Sequence, residues 1–166
     1  MSKRQLLTWP DEKLRRVSTE VSAIDDSVES ILEDMYDTMK AERGAGIAAP
    51  QIDEPIRIFM IDCKCFGSSS PTPWQKDKNI WVLINPVISH LSDKKIKWVE
   101  GCLSVPNMSG EIMRHTQLSV SHKGTDHYDH SFVVGWPLAG AVQHENDHLE
   151  GIVYLDRLRG VSATIS

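Results

Sequence analysis

One segment says most about this chain: Gln143-His144-Glu145-Asn146-Asp147-His148. Its two histidines are four residues apart, so in a helix both imidazoles project from one face and can bind one cation. The intervening Glu145 lies close enough to reach a water molecule on that cation. This HExxH spacing is typical of metal-assisted hydrolysis.

The residues around this motif indicate a buried helix rather than two histidines on a surface helix. Pro137 suits the first helical turn, where its missing N–H costs nothing, and Gly151 is typical of a helix stop. The neighbours of the motif include four apolar residues, as expected for a helix in a core: Leu138, Ala141, Val142 and Leu149. We therefore predict a helix that begins at Pro137 and ends before Gly151.

The rest of the chain predicts a second helix and several short strands. Apolar residues at three- and four-residue spacing between Val28 and Met39 form one stripe, which indicates an amphipathic helix capped by Asp26. Segments with strand character lie at 55–63, 80–88, 95–99, about 111–122 and 131–134. Helices combined with antiparallel-looking strands predict an α+β fold.

Length and composition are those of an ordinary globular domain. The chain has 166 residues, 40% of them hydrophobic, and we expect residues 1–166 to form one domain. Its net charge of −5 argues against the broad positive field that nucleic-acid binding needs. No apolar segment is long enough to span a bilayer, and the charged N-terminus lacks the apolar core of a signal peptide. Together with an odd count of three cysteines, this predicts a cytoplasmic protein.

A hydrolytic metal site of this kind needs a third protein ligand, whose position distinguishes the enzyme classes. A metzincin would have a histidine where this chain has Tyr154. A thermolysin-like enzyme needs a downstream carboxylate, for which only Asp156 is left, so we expect the ligand upstream. The best candidate is Cys102 in Glu100-Gly101-Cys102-Leu103-Ser104, because Gly101 lets the backbone approach closely. Cys, His and His would leave one coordination position open for water.

Two other groups of potential ligands have simpler interpretations. Cys63 and Cys65 lie two residues apart along a predicted strand, so both should face one side, and we interpret them as core or edge thiols. A cluster of histidines and aspartates lies in a polar turn between predicted strands: His122, Asp126, His127, Asp129 and His130. We interpret this cluster as a solvent-exposed hairpin.

The segment Gly44-Ala45-Gly46-Ile47-Ala48-Ala49-Pro50-Gln51 carries a different signal. Its opening matches the start of the dinucleotide-binding fingerprint, but it follows a predicted helix, and Pro50 would interrupt the helix that should come next. Two interpretations therefore stay open. The segment is either a glycine stop with a tight turn, or a backbone strip that lines a substrate groove and offers the side-chain N–H of Gln51.

Three of these segments together resemble the peptide deformylase family: residues 44–51, 100–104 and 143–151. Their order and separations also match, and the resemblance covers nearly the whole chain. It implies a fold in which antiparallel β-sheets pack around a central helix that carries the HExxH motif. It also implies a metal-dependent hydrolase that removes the N-formyl group from the N-formylmethionine of nascent polypeptides and releases formate.

The resemblance also implies roles for individual residues. The metal ligands would be Cys102, His144 and His148. They would hold one divalent metal, Fe²⁺ in many family members, with Zn²⁺, Ni²⁺ or Co²⁺ able to substitute. Glu145 would transfer the proton from water to the leaving amine. The side chain of Gln51 and the backbone N–H of Leu103 would donate hydrogen bonds to the developing oxyanion.

For such a substrate, we expect recognition to use two features. A small apolar pocket would receive the methionine side chain, and the strip would pair with the peptide backbone as an added strand. The residues that we assign to this site are Gly44, Ala45, Gly46, Ile47, Trp98, Glu100, Gly101 and Ala141. Arg114 would pair with Glu100 and orient the metal site, with a surface salt bridge as the alternative.

Some positions differ from the usual family pattern. Ala45, Gly140 and Ala141 stand where larger residues are common, which predicts a wider pocket. The residues after Gly151 leave little room for the C-terminal helix with which some relatives dock on the ribosome. The partners we expect are N-formylmethionyl nascent peptides, with the ribosome as a further candidate, and we expect a monomer.

Two other functions stay open on the HExxH motif alone. A zincin-like endopeptidase would cleave unformylated internal peptide bonds and would not need Cys102. A non-catalytic domain would bind a structural metal with four protein ligands and leave no open position.

Overall fold

The amphipathic helix predicted near the N-terminus is present as α1 (Asp26–Ala41). The structure, a computed structural model, describes residues 2–158 and 163–165. The stripe of α1 is buried at Val28, Leu32, Met35 and Met39. The cap is Asp25 rather than Asp26, because the Asp25 side chain accepts hydrogen bonds from the backbone N–H groups at 27 and 28.

Eight strands form two antiparallel sheets within the described residues. They are β1 (Gly46–Ala48), β2 (Ile58–Asp62), β3 (Ile80–Ser89), β4 (Lys95–Cys102), β5 (Val105–His115), β6 (Gln117–Lys123), β7 (Asp129–Gly135) and β8 (Ala163–Ile165). The five-stranded sheet has the order β1-β2-β3-β6-β7, and the three-stranded sheet has the order β4-β5-β8. Every neighbouring pair is antiparallel, as the strand pattern predicted.

The strand predicted at about 111–122 is in fact two strands that belong to different sheets. β5 ends at His115 and β6 begins at Gln117. Between them, the backbone N–H of Thr116 donates to Lys94 O at 3.1 Å and to Ser92 Oγ at 3.0 Å, so the loop before β4 holds the turn. Buried and exposed side chains alternate in phase on both sides of this turn, which is why the pattern predicts one strand.

The helix that contains the HExxH motif, α2, spans Leu138–Leu149, within the predicted limits. It packs against β1, β2 and β7 of the larger sheet and against β5 of the smaller one. Ten of its twelve residues are buried, so the alternative of two histidines on a surface helix is wrong. Within the described part of the chain, no helix is both long and apolar enough to cross a membrane.

The two helices cover opposite faces of the five-stranded sheet. Along β2, Phe59 and Ile61 belong to the apolar cluster that contains the buried residues of α2. Ile58 and Met60 belong to the cluster that contains the stripe of α1. Because successive strand residues point to opposite faces, this alternation separates the two clusters. The sheet therefore has a packed layer on each side, and α2 lies on the side that faces the smaller sheet.

Gly151 connects α2 to the residues that follow, and its backbone requires glycine. Its φ is +73°, and a Cβ atom there would lie 2.3 Å from the carbonyl oxygen of Arg15. We expect Gly151→Ala to lower the free energy of unfolding, measured in urea, by about 2–5 kcal/mol through backbone strain and displaced contacts. Gly67→Ala is the control, because Gly67 has a φ of +66° but nothing within 4 Å. Equal losses in both variants would contradict the steric part of this expectation.

Candidate metal centre and active site

Three potential metal ligands converge where β4 ends beside α2. Cys102 is the last residue of β4, and His144 and His148 lie on one face of α2. One ligand atom of each residue lies within 4.8 Å of the other two. The Sγ atom of Cys102 is 3.3 Å from Nε2 of His148. Among the residues that the structure describes, this is the single group of its kind.

The atoms of this group fit a divalent metal ion. Nδ1 of His144 lies 2.6 Å from Oε1 of Glu100, which leaves Nε2 of this imidazole as its free ligand atom. One thiolate sulfur and two imidazole nitrogens suit Zn²⁺, Fe²⁺ and similar ions. No fourth histidine, cysteine or acidic residue joins the group in the described residues. A set of three protein ligands is typical of catalytic sites, and the four-ligand structural site has no support here.

The rival cysteines do not lie where the alternation predicted. The strand β2 ends at Asp62, and Cys63 and Cys65 lie in the short helical turn Cys63–Phe66. Cys63 is buried and Cys65 is exposed, so the two thiols do not share one face. Neither belongs to the group of potential metal ligands.

The cluster of histidines and aspartates lies in the hairpin of β6 and β7, as predicted, but His122 is buried, so the expectation of a solvent-exposed cluster is wrong for this residue. Nε2 of His122 accepts a hydrogen bond from the Trp81 indole at 3.1 Å, and Nδ1 lies 3.0 Å from Lys123 O. Both ring nitrogens are therefore already paired inside the protein. His130 and Asp126 pair at the surface, 2.9 Å apart.

A buried ion network lies behind the metal ligands. Arg114 donates to both carboxylate oxygens of Glu100, at 2.7 and 3.0 Å, and to Asp147 at 2.8 Å. The side chains of Arg114 and Glu100 are 3% and 4% exposed, so the alternative of a surface salt bridge is wrong. Burial acts to raise the pKa of Glu100, but His144 and Arg114 outweigh it and lower this pKa to about 2. Asp147 also accepts from Arg157, and sequence reasoning missed it although it lies inside the HExxH motif.

The protein environment favours the thiolate form of Cys102. Burial acts to raise the pKa of this thiol, but the His148 and His144 imidazoles lower it to about 5. At Glu145 the balance is reversed: burial outweighs the nearby imidazoles and raises the pKa of the carboxyl to about 7. The site therefore places an anionic sulfur ligand beside a carboxyl group that is poorly solvated.

Glu145 lies at a cavity of about 410 Å³ that also reaches two of the metal ligands. The lining residues are Gly44, Ala45, Gly46, Gln51, Phe66, Trp98, Val99, Glu100, Gly101, Cys102, Leu103, Ala141, His144 and Glu145. Oε2 of Glu145 is buried and has no hydrogen-bond partner. A Cβ atom at Gly46 would lie 2.6 Å from Oε1 of Glu145, so the glycine lets β1 approach this carboxyl.

Gln51 lies beside Cys102 with its amide held at both ends. Its Oε1 accepts from the backbone N–H of Ala48 at 2.9 Å. Its Nε2 donates to Oγ of Ser104 at 3.0 Å and lies 3.6 Å from Sγ of Cys102. Ser104 is fully buried and orients this amide, and sequence reasoning did not assign it. The signal was available, because Ser104 closes the segment that contains Cys102.

Ile47 was predicted to belong to the substrate site, but its side chain does not line the cavity. Its side chain is fully buried in the apolar cluster with α1, on the far side of the sheet from Glu145. Gly46 and Ile47 are consecutive strand residues and therefore face opposite sides, so the backbone of Ile47 alone is left for a substrate contact. The cavity instead gains Phe66, which ends the short helical turn Cys63–Phe66 and which no sequence pattern indicated.

The small residue at Gly140 does not widen the cavity, contrary to expectation. A Cβ atom there would lie 2.6 Å from Cζ2 of Trp98 and 3.0 Å from Cη2 of Trp136. The Trp98 ring therefore occupies the space that a larger residue at 140 would fill. Ala45 and Ala141 do lie in the cavity lining.

Comparisons with known sequences are consistent with this geometry. Residues 3–163 match the sequence profile of the polypeptide deformylase family. A peptide deformylase of Wolbachia from Brugia malayi is 35% identical over 158 residues, which cover 95% of this chain and 88% of that protein.

Solved structures show the same similarity in three dimensions. A peptide deformylase of Synechococcus elongatus in complex with actinonin aligns with a TM-score of 0.83 and 31% identity, over 95% of this chain and 79% of that one. A peptide deformylase of Ehrlichia chaffeensis aligns with a TM-score of 0.84 and 32% identity, over 95% of this chain and 88% of that one. The antiparallel sheets and the two helices of this chain thus have a peptide deformylase-like fold.

Proposed function

The chain belongs to the polypeptide deformylase family, and on that premise we propose that Cys102, His144 and His148 hold its catalytic metal beside Glu145. The enzyme is a metal-dependent peptide deformylase, which removes the N-formyl group from nascent polypeptides. The single observation that carries the assignment of residues is the convergence of three metal-binding side chains at a cavity that also contains Glu145.

The ligand set constrains the metal to a divalent ion of borderline softness. We propose one divalent ion per chain, Fe²⁺ as the family resemblance implies, with Zn²⁺, Ni²⁺ or Co²⁺ able to substitute because thiolate and imidazole ligands suit all of these. When bound, such an ion lowers the pKa of a water molecule and polarises a carbonyl group. The protein's own contribution is to fix the ligands through Glu100 and the buried Arg114.

Glu145 is the residue that handles protons in this proposal. Its Oε2 is buried and unpartnered, so it is available to accept a proton from the attacking water. The water oxygen bonds to the formyl carbon, and the carbonyl oxygen takes up negative charge. Glu145 gives the proton to the amide nitrogen as the C–N bond breaks, so formate and a free N-terminal amine are the products.

Gln51 and Leu103 are positioned to stabilise negative charge on the formyl oxygen. Both line the cavity next to Cys102. The Gln51 amide points its N–H₂ group toward Cys102 because Ala48 holds its carbonyl oxygen. Each well-placed donor of this kind contributes on the order of 3 kcal/mol to the transition state.

The substrate site follows from the same cavity. Trp98 and Ala141 provide an apolar lining for the methionine side chain, and Gly44, Ala45 and Gly101 provide backbone. β1 is an edge strand among the described strands, so an extended peptide can pair with it.

Several wider predictions belong to the same proposal. We infer that residues 1–166 act as one catalytic domain of α+β class, with α2 as the central helix. We also infer a cytoplasmic monomer that acts on N-formylmethionyl nascent peptides, with the ribosome as a candidate partner. Support for the central position of α2 comes from its packing against both sheets.

The proposal is tested by incubating metal-loaded protein with formyl-Met-Ala-Ser and measuring formate and free amine. We expect equal amounts of both products, no reaction with acetyl-Met-Ala-Ser, and loss of activity after chelation that added Fe²⁺ restores without oxygen. Cleavage of an unformylated internal peptide bond without formate release would instead support a zincin-like endopeptidase.

A further inference from the structure

Trp98 contacts both the substrate cavity and the ion network behind the metal ligands. Its ring lines the cavity, and its indole Nε1 donates to Oε2 of Glu100 at 2.7 Å. Oε1 of the same carboxylate lies 2.6 Å from Nδ1 of His144. We propose that Trp98 is a positioning residue, which fixes the Glu100 carboxylate and thereby the His144 imidazole while its ring forms part of the substrate cavity. This inference rests on the proposed function, because it takes His144 as a metal ligand.

The hydrogen bonds around Glu100 show why the indole N–H matters. Each carboxylate oxygen has two donors: Oε2 receives Trp98 and Nε of Arg114, and Oε1 receives Nη2 of Arg114 and Nδ1 of His144. Glu100 is 5% exposed, so water cannot easily replace a lost donor. Without Trp98, only the guanidinium and the imidazole itself would hold this carboxylate, which could then shift together with the imidazole. A buried charged group is sensitive to such a loss.

The packing of the Trp98 ring holds its N–H in place. The centroids of the Trp98 and Trp136 rings are 4.5 Å apart at an angle of 69°. A Cβ atom at Gly140 would lie 2.6 Å from Cζ2 of Trp98, an atom on the same edge of the indole as Nε1. The glycine in α2 therefore lets this edge sit against the helix. A methyl group at 140 would move the edge that carries the N–H away from Glu100.

Trp98→Phe tests the role of the N–H, because phenylalanine keeps an aromatic ring in the cavity but lacks the donor. We expect kcat for formyl-Met-Ala-Ser to fall about tenfold while KM changes little. We also expect Co²⁺ to leave the loaded protein about tenfold faster in the presence of a chelating dye. Trp74→Phe is the control, because Trp74 is also a buried tryptophan but packs in the apolar cluster with α1 and does not line the cavity. It should leave both quantities close to those of the unmodified enzyme.

Gly140→Ala provides a second test, because it retains Trp98 but displaces its indole ring. We expect it to lower kcat and to speed Co²⁺ release by about the same factor as Trp98→Phe. Because both changes act through one hydrogen bond, the double variant should be no worse than Trp98→Phe alone. Independent losses that multiply in the double variant would overturn the proposal, as would a Trp98→Phe enzyme with unchanged kcat and metal release.

A rise in KM with unchanged kcat in Trp98→Phe would mean that Trp98 acts only as part of the cavity lining. This result would also overturn the positioning role. Failure of the proposed function has a different signature, because the unmodified enzyme would then release no formate. The Co²⁺ release rates would still compare Trp98→Phe with Trp74→Phe in that case. Thermal unfolding of each loaded variant, followed by circular dichroism, shows whether a change in release reflects a loss of folding.

Discussion

Glu145→Gln is expected to reduce kcat for formate release by about 10²–10⁴-fold, the usual contribution of a general acid–base group. Glutamine has nearly the same shape but cannot accept the proton of the attacking water. Oε2 of Glu145 is buried without a hydrogen-bond partner among the described residues, so no hydrogen bond there depends on it. The variant should therefore remain folded and keep its metal. Formate release under saturating formyl-Met-Ala-Ser, together with metal content per chain, measures both halves of this expectation.

The control for this experiment is Glu150→Gln, at the C-cap of the same helix. Glu150 is exposed and pairs with Arg57 at the surface, so its loss should affect stability slightly and kcat very little. If Glu145→Gln retained full activity while metal was bound, Glu145 could not be the proton-transfer group. Loss of metal in the variant would mean instead that the carboxylate acts mainly on the ligands.

Cys102→Ser is expected to weaken metal retention by more than about 100-fold, beyond the effect typical of residues that merely orient a ligand. A serine hydroxyl stays protonated near neutral pH and is a far poorer ligand than a thiolate. The environment of Cys102 already lowers the pKa of its thiol to about 5, so the native ligand is anionic. After dialysis against a weak chelator, metal analysis should show that the variant is nearly free of metal. Formate release should fall in proportion to the metal content.

Cys65→Ser is the matched control, because Cys65 is exposed and lies outside the metal group. Co²⁺-loaded protein adds a spectroscopic test: the sulfur-to-cobalt charge-transfer absorption should disappear in Cys102→Ser and persist in Cys65→Ser. A Cys102→Ser enzyme that kept its metal and cleaved unformylated peptides would favour the zincin-like alternative.

Sequence reasoning succeeded where the signal is local and periodic. The helix Leu138–Leu149 was predicted from a proline, a glycine and an apolar stripe, all within one short segment. The same regularity failed between β5 and β6, because the alternation of side chains continues through Thr116 while the chain changes sheets. Periodicity reports which side of the backbone is buried, and it carries no record of which sheet a strand joins.

In the candidate site, too, local sequence patterns predicted some features and tertiary packing decided the others. The sequence alone determined that His144 and His148 share one helical face, with Glu145 one residue on, because helix geometry sets the separation of residues four apart. Only the tertiary structure decided that Cys102 meets them, that Ile47 faces away, and that Gly140 makes room for a tryptophan rather than for substrate. Those contacts join residues far apart in the chain, and their geometry depends on how the sheets and α2 pack, which no local pattern encodes.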